Sequence, residues 1–400
     1  MLVAFIGIIL RYKIAYSLPF IDQRYLLHGH SHFAFAGWVT QALMALLVAC
    51  LSEQAGKNLF KKYRWLLYSN LLTAYGMLVT FPIEGYAFLS ILFSTLSIFV
   101  SYFFAAIYWV DLNKLDNKNT SHHCFRIALL CNVISSAGPF SLAYMLATKH
   151  MQQNLYLASV YFFLHFQYNG WFFFSCLGLL IYRLNKYKVP GTTLKKVFYL
   201  FAISVLPAFF LSVLWWDIPT WLYILVVAAT ICQIAGWIQL LNFIQIHVIN
   251  TIKQASLLSK FLFISCGIAL SIKLILQAGS VIPSLSKLAF GFRPIVIGYL
   301  HLVLLGVITI FIISYSFTYK LISINKRLIA GITIFVIGIF VNEILLMIQG
   351  ISAMIYESVP FINESLLFAA VLLTAGMLVI NYSQNFYKDD QNHKTINAID

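Results

Sequence analysis

Apolar stretches of about 20 residues, separated by short polar loops, run from end to end of this chain, and each is long enough to cross the hydrocarbon core of a bilayer as a helix. Lipid offers the backbone no hydrogen-bonding partner, so such a succession folds as a bundle of helices whose peptide groups satisfy one another. Composition points the same way. Hydrophobic residues make up 61% of the chain and charged residues 10%, where a soluble globule carries roughly a quarter charged residues, and mean hydropathy is +0.87. The expected fold is an all-α polytopic membrane protein of twelve helices, near 1–19, 28–51, 64–82, 86–110, 124–147, 153–182, 195–216, 219–246, 259–281, 294–319, 328–350 and 363–384. They form a single transmembrane domain, 1–384, followed by a solvated tail, 385–400. No cationic region and small-residue cleavage site precede the first apolar run, so no removable signal peptide is expected.

The formal net charge of +14 could reflect a nucleic-acid partner or a membrane surface, and the placement of Lys and Arg separates the two. Alternate loops hold them: Lys57, Lys61, Lys62 and Arg64; Lys114, Lys118 and Arg126; Arg183, Lys186, Lys188, Lys195 and Lys196; Lys253 and Lys260; Lys320, Lys326 and Arg327. The intervening loops carry Glu84, Lys149, Asp217, Glu357 and Glu364. By the positive-inside rule the basic loops face the cytoplasm, as do both termini and the tail. The expected location is a bacterial cytoplasmic (inner) membrane. The charge is then matched by anionic lipid, with no nucleic acid required. Arg11, Lys13 and Arg24, and later Lys287 and Arg293, depart from the alternation. Cations on the outward side suggest an anionic partner there, with snorkelling at helix ends as the alternative. The six cysteines (Cys50, Cys124, Cys131, Cys176, Cys232, Cys266) form no C-x-x-C pair and read as packing residues.

One internal repeat carries candidate chemistry. His32-FAFA-Gly37-Trp38, His165-FQYN-Gly170-Trp171 and His301-LVLL-Gly306-Val307 all read H-x-x-x-x-G, and successive histidines are 133 and 136 residues apart. They fall on helices 2, 6 and 10, so the chain reads as three four-helix units. All three helices run inward, which places each histidine in the outer half of the membrane. An imidazole in lipid is costly unless hydrogen-bonded or ligating, which makes it a functional candidate. On an α-helical projection the glycine five residues on lies on another face, free to admit a flat group or a neighbouring helix. His28 and His32 share one face, with His30 directed elsewhere. Imidazole is the commonest axial ligand of haem iron and also serves copper, so metal binding by His28, His32, His165 and His301 is the leading expectation. Gln167, Tyr168 and Asn169 form a polar patch suited to a pocket. Lys273 and the Asn342-Glu343 pair are polar groups at membrane depth, whereas His122, His123, His150, His247 and His393 read as surface residues.

The layout resembles the haem-copper oxidase subunit I superfamily, with twelve helices in three arcs and ligands on helices 2, 6 and 10. The stretch HSHFAFAGW is also similar to the opening motif of the NnrS family of haem- and copper-containing membrane proteins. The resemblance covers the helix plan and about ten residues of motif. It implies that His32 and His301 ligate haem, that His165 ligates copper, and that Arg24 and Arg293 hold haem propionates. Helix 7, VFYLFAISVLPAFFLSVLWW, lacks the histidine pair of oxidases, helix 10 has one histidine rather than two, and Tyr168 follows His165 by three residues rather than four. A complete oxygen-reducing centre therefore cannot be assembled by matching, and no catalytic residue is assigned. The expected function is a haem-binding or haem-copper membrane protein acting in electron transfer or small-gas binding, with an electron-donor protein or partner subunit. A proton-coupled transporter using the histidines with Lys273 and Glu343 is the alternative, and a structural subunit is a third.

Overall fold

A computed structural model describes the backbone of all residues except 116–118, 186–190, 320 and 397–400, and the side chains to 384 save at 251 and 288–290. Lys118, Lys186, Lys188, Lys320 and the side chains of the tail, His393 included, lie outside the described residues. Every regular element among the described residues is a helix. We label the long ones α1 (Leu2–Tyr16), α2 (Gln23–Ala55), α3 (Phe60–Glu84), α4 (Phe88–Asn113), α5 (Thr120–Thr148), α6 (residues 153–184), α7 (Gly191–Ser204 continued by Pro207–Val213), α8 (Thr220–His247), α9 (Leu257–Ser280), α10 (Arg293–Thr318), α11 (Lys326–Met354) and α12 (Ile362–Ile396). Among the described residues nine of these are long and apolar enough to cross a membrane, or ten if the bent α7 is one span. The chain is thus an integral membrane protein by the length and apolarity of its helices. The 15 residues of α1 stop earlier than expected, at Ser17, which adopts φ 63°. The α12 backbone instead continues past 384 to Ile396, into the stretch expected to be a solvated tail.

Local chemistry marks the ends. Asp22 caps α2 by accepting the backbone N–H of Arg24 at 2.7 Å and of Tyr25 at 3.0 Å. These bonds, that of Tyr25 foremost, hold the Asp22 carboxyl below its usual range. At the other end of α2, Gly56 takes φ 62° and the N–H groups of Gly56 and Lys57 turn back onto the carbonyls of Glu53 and Ser52. Gly85 ends α3 at φ 63°, where a Cβ would stand 2.4 Å from the Tyr25 ring. Asn119, Ser256 and Asn325 cap the helices that follow them through side-chain oxygens.

The main core lies where α2, α4, α5, α6 and α10 meet, around the fully buried Trp171, Phe104, Phe125, Phe172 and Phe174. On one flank α11 and α12 pack through glycines. A Cβ on Gly376 would lie 2.6 Å from the Phe335 nitrogen and one on Gly331 2.8 Å from the Ile380 nitrogen, the close backbone approach that small residues permit in membranes.

Candidate functional site

Each copy of the histidine motif sits at the same kind of backbone irregularity. His32 is followed by a π-helical segment Phe33–Thr40, His165 by Phe166–Phe172 and His301 by Leu302–Thr309. The π-helix pairs residue i with i+5, the spacing that separates each histidine from its glycine, so the glycine belongs to the same turn rather than to another face. Such segments are rare and frequent at functional sites. The glycines admit close neighbours: a Cβ on Gly170 would stand 2.4 Å from Cys131 Cβ of α5, one on Gly306 3.1 Å from Ala269 Cβ of α9, and one on Gly37 2.5 Å from the Phe33 ring of its own turn.

The three π segments are tied together. The Trp38 indole donates to Thr309 Oγ1 at 3.1 Å, and the Trp171 indole to Thr40 Oγ1 at 3.2 Å. Both donors directly follow a motif glycine, and both acceptors stand eight residues after a motif histidine. The third combination of these positions is Val307 with Phe173, both apolar. Tyr168 and Tyr299 link α6 to α10 with ring centroids 6.2 Å apart.

A cavity of about 1920 Å³ opens beside α2 and α10, lined by His28, His30, His32, His301, Arg11 and Arg293 among many apolar side chains. It exceeds the roughly 300–1,000 Å³ of an ordinary small-molecule pocket. Four groups define its chemistry. His301 Nδ1 donates to the Ile297 carbonyl at 2.8 Å, which leaves Nε2 as the unprotonated nitrogen. Near it, close enough for their charges to interact, stands His30, whose ring bonds the Val3 carbonyl and whose Nδ1 is buried with no hydrogen-bond partner. The Cε1 of His30 would lie 3.7 Å from a Cβ on Gly7, so α1 passes directly over this imidazole. Arg11 interacts electrostatically with both histidines. Neither Arg11 nor Arg293 enters any of the three salt bridges among the described residues.

On the opposite face of α2, His32 stacks on Phe81, with ring centroids 4.4 Å apart and planes at 9°, and its Nε2 lies 3.2 Å from Tyr86 Oη. His28 meets the Tyr86 ring edge-on at 4.6 Å. The expected common face of His28 and His32 is therefore present, and their neighbours are Phe81 near the end of α3 and Tyr86 in the turn that follows it. The histidine brought to His301 is His30, which the α-helical projection set aside.

His165 stands apart and does not line the cavity. It is buried, its Nε2 lies 2.7 Å from the Val205 carbonyl and its Nδ1 3.2 Å from Asn169 Nδ2. The reason lies in α7, which bends by 47° at Pro207. In an unbroken helix the Val205 carbonyl would accept from Phe209, but Phe209 N–H turns to Leu206 instead. His165 donates to that freed carbonyl, and its other nitrogen accepts from Asn169. The expectation that it ligates metal meets a side chain whose two nitrogens are already engaged. Lys273 is buried and lies near His165, whereas Glu343 accepts from Asn342 at 3.1 Å. Arg24 is exposed and does not line the cavity, whereas Arg11, from the same outward connection, does.

The donor set fits a planar macrocycle ligated by one or two imidazoles and carrying negative charge. It does not gather three imidazoles for copper, since no group of three or more His, Cys, Asp or Glu stands together among the described residues. No protein-family model matches the chain, and no curated protein is similar to it.

Proposed function

We propose that this chain is an integral membrane haem-binding protein built on the plan of oxidase subunit I: twelve helices in three four-helix units, with both termini on the cytoplasmic side of a bacterial inner membrane. The π segment at each of the three motif histidines supports the threefold plan, as does the repeated Trp-to-Thr bond between segments. The observation that carries the haem reading is the grouping of His301, His30, Arg11 and Arg293 around one large cavity. His301 presents a free Nε2 held by a backbone bond to its other nitrogen, the arrangement that fixes and strengthens an imidazole ligand. The orphaned Nδ1 of His30 offers a second donor, and a buried polar atom of this kind is costly unless something binds it. Arg11 and Arg293, outside the salt bridges found among the described residues, provide cations for carboxylates.

When bound, haem would supply one-electron transfer or a site for a diatomic gas. The protein's part is to supply the axial imidazoles, neutralise the carboxylates and keep water from the ring with apolar walls. Quantifying haem in protein purified after expression with haem supply tests this reading. It predicts stoichiometric haem, and protein without any haem overturns it.

A proton-coupled transporter is favoured by one observation, the bent α7, since broken helices mark transporter binding sites. Lys273 and Glu343, the groups it would need, are not brought together: Lys273 lies near His165, and Glu343 accepts from Asn342. Proton uptake by reconstituted vesicles under a pH gradient, abolished by Lys273→Gln, would establish it in place of the haem reading.

A further inference from the structure

A second pocket, of about 520 Å³, lies at the opposite, Lys-rich end of the bundle, where the last turn of α2, the first turn of α3, the last turn of α4 and Tyr182 of α6 meet. Lys57, Lys62 and Lys114 line it, and among the described lining residues Asp111 is the one carboxylate against these three cations. Asp111 organises the cations. Its Oδ2 holds the Lys62 ammonium at 2.5 Å and accepts from the Tyr63 hydroxyl at 3.0 Å, and its Oδ1 holds Lys114 at 3.0 Å. One lysine from α3 and one from α4 are thereby fixed side by side, at 44% and 66% side-chain exposure, while the carboxylate between them is 8% exposed. The end of α2 would direct bare carbonyls at this pocket, but the N–H groups of Gly56 and Lys57 already cap two of them. Lys57, exposed, stands on the remaining side.

We propose that this pocket binds a phosphate group, the phosphodiester of an anionic phospholipid in the adjoining leaflet or the phosphate of a water-soluble compound. A phosphate presents several acceptor oxygens to ammonium donors held at a fixed separation. Basic pockets between helix ends on the positive-inside face suit such headgroups. Trp65, 70% exposed one turn along α3 from Lys62, with Arg64 5.4 Å from its ring, marks the level of the lipid interface beside the pocket. The site is independent of the histidine cavity and of any haem.

Native mass spectrometry of the detergent-purified full chain tests it, by titration with dioleoylphosphatidylglycerol or dioleoylphosphatidylcholine in the presence and absence of inorganic phosphate. The proposal predicts tighter binding of phosphatidylglycerol, weakened about fivefold for each lysine removed in Lys57→Gln, Lys114→Gln and the Lys62→Gln/Lys114→Gln double variant. Phosphatidylcholine binding and the Lys253→Gln control on the same face should not change. Lys57 and Lys114 are exposed enough for their variants to fold. Displacement of the lipid by millimolar inorganic phosphate assigns the site to a soluble phosphate compound, and resistance to it assigns the site to the lipid; either supports the proposal. Equal affinity for the two lipids, or an equal loss in Lys253→Gln, overturns it.

Discussion

Replacing His165 with leucine, of similar size, removes the donor to the Val205 carbonyl at 2.7 Å and the acceptor for Asn169 at 3.2 Å. Leaving a buried polar group without a partner costs about 1–3 kcal/mol. Side-chain hydrogen bonds inside membrane proteins average about 0.6 kcal/mol and reach about 1.7, so the destabilisation should lie near 1–2 kcal/mol. Its origin in the bent α7 gives a sharper test. Pro207→Ala restores an N–H at residue 207 and lets α7 straighten, so that Phe209 N–H can return to the Val205 carbonyl. In that background His165→Leu should lose at least half of its cost, a coupling of about 0.5–1 kcal/mol. Denaturant unfolding of the four proteins in detergent, each prepared without haem, measures the cycle. Equal costs in both backgrounds would refute the account of His165 as the partner of a broken helix.

Three further outcomes follow from the same geometry. Gly170→Ala places a Cβ 2.4 Å from Cys131 Cβ and should destabilise by about 1–3 kcal/mol, whereas Gly267→Ala, with nothing within 4 Å, should be neutral or stabilising by up to about 1 kcal/mol in the same unfolding assay. Trp38→Phe and Trp171→Phe each remove one indole bond between π segments, at about 0.5–1.5 kcal/mol apiece; unchanged stability in both would contradict the link between segments. The Asp22 carboxyl is depressed by its helix-capping bonds, so its contribution is present above its ordinary value of 3.8 and is lost as pH falls through the lower folded value. Amide exchange at Arg24 and Tyr25, corrected for intrinsic rates, should quicken in that acid range, and Asp22→Ala should show no such pH dependence.

The membrane helices were readable because lipid imposes a length and an apolarity that a spanning segment must meet, and among the described residues nine of the twelve expected stretches, or ten with the bent α7, lie in helices that meet both. The limits of α1 and α12 were not, since the positive φ at Ser17 and the onward run of the last helix leave no hydropathy signal. The H-x-x-x-x-G repeat was visible as a pattern, but its π backbone was not, because the α-helical period of 3.6 placed the glycine on the wrong face. The same projection favoured His28 and His32. His30 matters because α1 passes over it and His301 of α10 stands near it across the cavity, a tertiary fact that spacing within one helix does not encode. The role of His165 was only half within reach: Pro207 announces a break in α7 and orphans the Ile203 carbonyl, whereas the carbonyl that His165 takes is that of Val205, freed by the turn of Phe209 N–H to Leu206. Arg11 and Arg24 share the first outward connection in sequence, and only the packing of α1 separates the cation that lines the cavity from the one that does not.

The central claim is that His301 presents Nε2 to a haem in the cavity, with His165 serving the fold alone. Reduced-minus-oxidised spectra of the purified wild type, His301→Ala, His30→Ala and His165→Leu, matched for protein concentration and folded fraction, test it most directly. The account predicts a Soret band in the wild type that His301→Ala abolishes, that His30→Ala shifts or weakens, and that His165→Leu leaves in position. A wild-type protein with no Soret band, or a band unmoved by His301→Ala and lost in His165→Leu, would contradict it.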